Sequence, residues 1–375
     1  MTNQMDMFFT LLRLSLHIDQ NNINSSFSDF NDASSKDWEQ LFDLSARQGV
    51  LLLSYGGLQH LPANLQPPRK LKLRWCVNVV KGSERYDHYK YVITKLSNLF
   101  SENNVGLLII KGVTIAELYP VPYFRGSGDI DIYLLEKNER ANNLISSFEK
   151  SDQEEISKHS TFFLEGIPIE NHHTFFDTSL PFLREGQLYQ KMENILNSMF
   201  FENTCPLLSW GNISQLPPQA AALYFIGHTF RHFCCLDINS RQMCDWTIFF
   251  NKYKKDIDCE LLSSQINQLG LDDFVCQINS FCSTYLGFKP YFSIPQKEEV
   301  KKDPLILKII MQYRVKPKVH IPVFGVLHYL FRRNNIYRKY LGKVSISEFL
   351  LPEIKSYFSY LLKQRWRSAI SKKSA

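Results

Sequence analysis

No stretch of this 375-residue chain reaches the ~18 consecutive apolar residues that a helix needs to cross a bilayer. The strongest apolar run of the C-terminal part, "VHIPVFGVLHYLF", has 13 residues and is broken by Pro322, so it suits a packed element rather than an anchor. The eight cysteines (76, 205, 234, 235, 244, 259, 276 and 282) contain no CxxC pair. With nothing that suggests secretion, this fits reduced thiols in a cytosolic, hence cytoplasmic, protein. The opening "MTNQMDMFFTLLRLSLHID" lacks a basic lead-in and a small-residue cleavage site. It is expected to be the first helix of a mature protein rather than a signal peptide. Internal repeats and low-complexity tracts are also missing. No His-Asp dipeptide occurs, which removes an HD-type phosphohydrolase from consideration.

What is present supports two or three domains with a sizeable core, since 44% of residues are hydrophobic. The net charge of +6 is unevenly spread. From Lys297 onward 18 Lys/Arg face 5 Asp/Glu, an excess of 13 that leaves the first 296 residues at −7. This is either a solvated helical surface or a region that meets an anionic partner such as nucleic acid, a nucleotide or a membrane face.

Three zones follow along the chain. Residues 1–100 read as helical: Ser34 and Asp37 make a capping-box pattern, and a long helical pattern runs from Leu71 to Phe100 with an interruption near Gly82. Residues 101–200 alternate. "VGLLII" is a continuously apolar strand, "VTIAELY" a short helix, "DIDIYLL" a strand, and "EKNERANNLISSFEKS" an amphipathic helix. "TFFLEGIPIENHHTFF" reads as two strands joined by a tight turn at Glu165-Gly166. The order predicts a small mixed sheet backed by helices. Residues 201–217 read as a linker, and 201–375 as a C-terminal helical region ending in the basic segment. The expected fold class is therefore α+β, a small mixed-sheet core flanked by helical regions.

Asp129 and Asp131 are two apart in an apolar strand pattern, so both side chains face one way while Ile130 and Ile132 face the core. Two adjacent carboxylates repel, and a divalent cation between them removes that cost. Mg²⁺ favours carboxylate and phosphate oxygens, and paired ions clamp the oxygens of an in-line phosphoryl displacement. Upstream, Lys111-Gly112 sits where a strand meets a helix, a place suited to phosphate. Downstream, Glu170 lies among apolar neighbours on "IPIENHH", with Glu165 and Asp177 as rivals for the place of third carboxylate. Arg125 and Ser127 precede the aspartates, within reach of phosphate oxygens. His228 and His232 are four apart on a helix, but Thr229 stands where a zincin needs its glutamate. They are read as cleft-lining residues that touch nucleotide or acceptor. Asp245 beside Trp246 is a helix-orienting residue or a ligand. His172 shares the face of Glu170, and His173 does not. Cys234-Cys235 on an apolar helix reads as core packing.

The run "LLIIKGVTIAELYPVPYFRGSGDIDIYLL" (107–135) resembles the uncharacterised nucleotidyltransferase family of the DNA polymerase β-type nucleotidyltransferase superfamily. "IPIENHH" resembles that family's later strand, and "AALYFIGHTFRHF" with "CDWTIFF" its helical stretch. The resemblance implies transfer of a nucleoside monophosphate from an NTP, with Mg²⁺ (or Mn²⁺) held by Asp129 and Asp131 and completed by Glu170. Lys111, Gly112, Arg125 and Ser127 become the triphosphate candidates. The implied acceptor is a hydroxyl on a small molecule, a sugar-linked intermediate, a protein or an RNA end. Lys-Gly-Val stands where the superfamily usually has Gly-Gly or Gly-Ser, so the phosphate turn is placed at 111–113. A non-catalytic binding module of the same fold and a toxin-like transferase acting on tRNA or protein are the competing readings.

Overall fold

The computed structural model describes residues 2–17, 27–135, 139–150, 159–178, 184–200, 205–206, 210, 213–290, 304–311 and 336. The apolar run at 319–331 and nearly all of the basic segment lie outside these residues. The described elements, in order, are α1 (Thr2–Leu16), α2 (Ser35–Arg47), α3 (Leu51–Leu58), α4 (Arg69–Glu102), β1 (Leu107–Ile109), α5 (Val113–Ala116), β2 (Ile130–Leu134) and α6 (Glu139–Ser146). Then come β3 (Glu149–Lys150), β4 (His159–Leu164), β5 (Ile167–His172), α7 (Arg184–Phe200), β6 (Cys205–Pro206) and β7 (Ser214–Gln215). The chain continues through α8 (Pro218–Cys234), α9 (Ser240–Lys252), α10 (Cys259–Leu269), α11 (Asp272–Leu286) and α12 (Pro304–Met311). Among the described residues no helix is long and apolar enough to cross a membrane. All eight cysteines are thiols.

The strands form one mixed sheet in the order β3-β4-β5-β2-β1-β7-β6. β2 runs antiparallel to β1 and parallel to β5, so the sheet's centre is the strand that follows Asp129. The hairpin β4–β5 turns at Glu165 and Gly166, both in the left-handed region with φ of 51° and 75°. Residues 201–217, expected as a linker, contribute β6 and β7. The latter pairs parallel to β1, so this segment widens the sheet before α8 begins.

Strand alternation sorts the two faces. Ile130, Ile132 and Leu134 join Ile167 and Ile169 against the second half of α4, where Val92, Ile93, Leu96 and Phe100 are buried. The opposite face, carrying Tyr133 and the aspartates, looks toward the C-terminal helices. Tyr133 stacks on Phe175 there, with ring centroids 4.7 Å apart. Helices α1–α3 and α8–α12 share a single core. Phe9 of α1 packs against Phe281 and Tyr285 of α11, and the Gln48 side chain donates to the Ile310 carbonyl at 2.8 Å while accepting from the Ser240 amide at 2.9 Å.

Helix starts follow local chemistry. The Ser34/Asp37 capping box is present, and α9 has a second one made by Asn239 and Gln242. One expectation is corrected: α4 runs unbroken through Gly82. A Cβ at that position would lie 2.0 Å from a Leu52 methyl, so the glycine serves close packing of α3 on α4 rather than a break.

Candidate active site

The floor of the site is built by β1, β2 and β5. Parallel pairing puts Asp131 directly beside Glu170, and Tyr133 beside His172. Asp131 is 1% exposed; its Oδ1 lies 2.9 Å from His172 Nε2 and 3.4 Å from Lys111 Nζ. Asp129 is half-buried at the entrance to β2. Burial, with the Asp131 charge beside it, pushes its carboxyl above the usual range. Glu170 behaves oppositely: the neighbouring His172 holds it below the usual range. The in-register pair Asp131 and Glu170, Asp129 at the entrance to β2, and Lys111 after β1 thus concentrate three carboxylates and a lysine.

Lys111 and Gly112 follow β1 after Ile110. Gly112 adopts φ 79° and ψ −99°, a backbone conformation for which glycine is suited, and it caps the four-residue α5. The loop after the 3₁₀ turn Pro122–Phe124 carries Arg125, Gly126 (φ 63°) and Ser127. Helices α8 and α9 supply the facing wall. The result is a solvent-open cleft of about 690 Å³ whose lining includes Lys111, Gly112, Arg125, Ser127, Asp129, Asp131, His228 and His232. Eight of the nine residues singled out from sequence line this one space. Glu170, the ninth, adjoins Asp131 on the next strand without lining it.

Not every one is available to a ligand. Arg125 donates through Nε to Asp245 Oδ1 at 2.8 Å and through Nη2 to Oδ2 at 2.9 Å, and the Tyr119 hydroxyl donates to the same carboxylate at 2.7 Å. Asp245 is therefore a partner that clamps the Arg125 loop onto α9. His232 is oriented by Asp237, with Nδ1 2.8 Å from Oδ1, and His228 stacks on it at 4.5 Å between centroids. Glu165 sits in the hairpin turn and pairs with Lys95 of α4, outside the site.

A profile of the uncharacterised nucleotidyltransferase family matches residues 34–287, the larger part of the chain. The chain belongs to that family. No curated protein and no solved structure among those compared matches it. As a nucleotidyltransferase, the protein has nucleotidyl transfer as its general activity and an NTP as the implied substrate.

Four residues of this candidate site escape a reading of the sequence. Arg241 and Gln242, in the first turn of α9, line the cleft with Thr229 of α8. Arg241 lowers the cost of the Asp129 charge, and its Nε is buried without a hydrogen-bond partner among the described residues. The signal was a cation in the first turn of a helix, where the macrodipole disfavours it. The fourth is His159 of β4, paired in register with His172. A hairpin turning at 165–166 places 159 opposite 172, so that contact was countable.

The donor set suits a divalent cation. Three carboxylates share a largely buried corner, and burial, then the charge of Asp131, holds Asp129 above its usual pKa.

Proposed function

We propose that this nucleotidyltransferase moves a nucleoside monophosphate from an NTP onto a hydroxyl acceptor in the cleft between the sheet and helices α8 and α9, with metal dependence. The observation that carries the reading is the cross-strand pairing of Asp131 with Glu170, with Asp129 two positions before Asp131 and Lys111 and Arg241 lining the same cleft as the two aspartates. Asp129 and Asp131 would hold Mg²⁺, with Mn²⁺ as the substitute, and Glu170 would complete the set on the acceptor side. A bound ion pair supplies charge neutralisation at the reacting phosphate and its two apical oxygens.

The chain's own groups do the rest. Lys111 and Arg241 place positive charge along the triphosphate, and the Gly112 backbone permits close approach of a phosphate. Ser127 offers a hydroxyl on the same wall. His228 and His232 line the cleft from α8, where nucleotide or acceptor would rest. The acceptor oxygen bonds to the α-phosphorus, the bond from that phosphorus to the bridging oxygen breaks, and pyrophosphate leaves. The hydroxyl proton passes to Glu170 or to water. Arg125 acts by position: its clamp fixes the loop that leads to Asp129. The basic segment from Lys297 suits an anionic acceptor.

The test is label transfer from α-labelled ATP, GTP, CTP and UTP with Mg²⁺ or Mn²⁺, using cell extract as acceptor. A labelled product that vanishes in Asp129→Asn/Asp131→Asn supports the proposal, and its size gives the acceptor class. Metal-dependent NTP binding without label in any product would replace transfer with binding alone.

A further inference from the structure

We infer that His159, Glu170 and His172 form a cation position of a different kind, one that takes a transition-metal ion rather than Mg²⁺. This rests on the carboxylate reading above only in making Glu170 and Asp131 neighbours of both positions. Glu170 Oε2 lies 3.6 Å from His172 Nε2 and 3.8 Å from His159 Nε2, and the three ligand atoms all fall within 4.8 Å of one another. Ligands about 2.1 Å from a tetrahedral ion are about 3.4 Å apart, so two of these separations need only a few tenths of an ångström to close. The third separation lies within the same 4.8 Å limit, and the His159 side chain is 14% exposed. His172, 1% exposed, is held where it is by Asp131 Oδ1 at 2.9 Å.

The chemistry of the set decides the ion. Asp129 and Asp131 offer only oxygen, which suits Mg²⁺. Two imidazole nitrogens with one carboxylate suit zinc, cobalt, iron or nickel, and manganese less well. Asp131 touches both sets, through its place beside Asp129 and its contact with His172, so it is the natural bridging carboxylate. An ion takes the lone pair of His172 Nε2, so any proton that nitrogen shares with Asp131 Oδ1 is released on occupation, and no redox change is involved. The site would then be asymmetric, with a hard ion on the triphosphate side and a stronger Lewis acid on the acceptor side.

The experiment is titration of chelator-stripped, full-length protein with Co²⁺, followed by visible spectroscopy, with Mg²⁺ and then Zn²⁺ as competitors. The expected result is one Co²⁺ per chain with the intense d–d bands of a four- or five-coordinate nitrogen-containing site, resistant to excess Mg²⁺ and lost to Zn²⁺. His159→Ala and Glu170→Gln should each weaken that binding at least about tenfold with unchanged circular dichroism. His159→Ala leads because that ring is partly exposed, whereas His172 is core. Asp129→Asn should keep the Co²⁺ bands and lose Mg²⁺-dependent NTP binding. Weak bands of six-coordinate, all-oxygen Co²⁺, a thiolate charge-transfer band, or binding unchanged in both variants would overturn the inference. Label transfer that survives Asp129→Asn would instead sink the proposed function and leave this site standing.

Discussion

Replacing Asp245 by alanine tests whether Arg125 is a strut or a phosphate ligand. The pair is almost closed to solvent, with side-chain exposures of 9% for Arg125 and 4% for Asp245, and both carboxylate oxygens are used. Removing the acid strands a buried guanidinium and leaves the Tyr119 hydroxyl without its acceptor, so the loss is about 3–5 kcal/mol of folding stability. Arg125→Met strands the carboxylate instead and costs a similar amount. Removing both charges together should cost no more than the worse single change, giving a coupling energy of at least about 3 kcal/mol. Urea unfolding of the four proteins reads all of these values. Transfer activity should fall in Asp245→Ala mainly in kcat, because the Arg125 loop sets Asp129 four residues on. Single changes that cost under about 1 kcal/mol, or that simply add, would refute the strut. An Asp245→Ala protein with tighter NTP binding would point to Arg125 as a phosphate ligand held in reserve.

Four further outcomes are expected. Arg241→Ala should raise KM for the NTP about 10- to 100-fold, a loss of one charge-assisted phosphate contact of about 1.5–3 kcal/mol, while the melting temperature stays near that of wild type. Glu170→Gln should abolish most transfer, whereas Glu165→Gln, in the Lys95-paired turn, should leave the rate unchanged in the same assay. Gly112→Ala should cost roughly 1–3 kcal/mol in urea unfolding through backbone strain, since an added Cβ would approach nothing closer than the Asp129 carbonyl at 3.8 Å. Burial and Asp131 raise the folded-state pKa of Asp129 above its unfolded value, so the folded protein binds the proton more tightly. Stability from this group therefore falls as pH rises from 3.8 through the raised value, and Asp129→Asn should melt higher than wild type at neutral pH without added metal.

Much of the site was legible because it is local in sequence. Lys111, Gly112, Arg125, Ser127, Asp129 and Asp131 fall within 21 residues, and strand alternation alone aims the two aspartates the same way. Glu170 was found because a tight turn and an apolar alternation fixed its face, and the parallel pairing then put it beside Asp131. Arg241 was missed because its place depends on how α9 crosses the cleft, and no periodicity reports a crossing. Asp245 was left between two roles for the same reason, since its partner lies 120 residues upstream. Gly82 misled for a different reason. Glycine marks a break or a close approach, and only the position of Leu52 separates the two.

The contact between the first helix and α11 has a consequence in time. Arg13 donates to the Tyr285 carbonyl across 272 residues, and Phe9 packs on the same tyrosine. At a synthesis rate of about 5–20 residues per second, α1 waits roughly 15–50 s on the ribosome before that partner exists. Until then Phe9 lacks the α11 rings it packs on, and the shared core behind the facing wall of the cleft is incomplete. A nascent chain therefore completes the candidate cleft late, after its carboxylates have long been translated, while α1 meets its early neighbour α3 well before α11 exists.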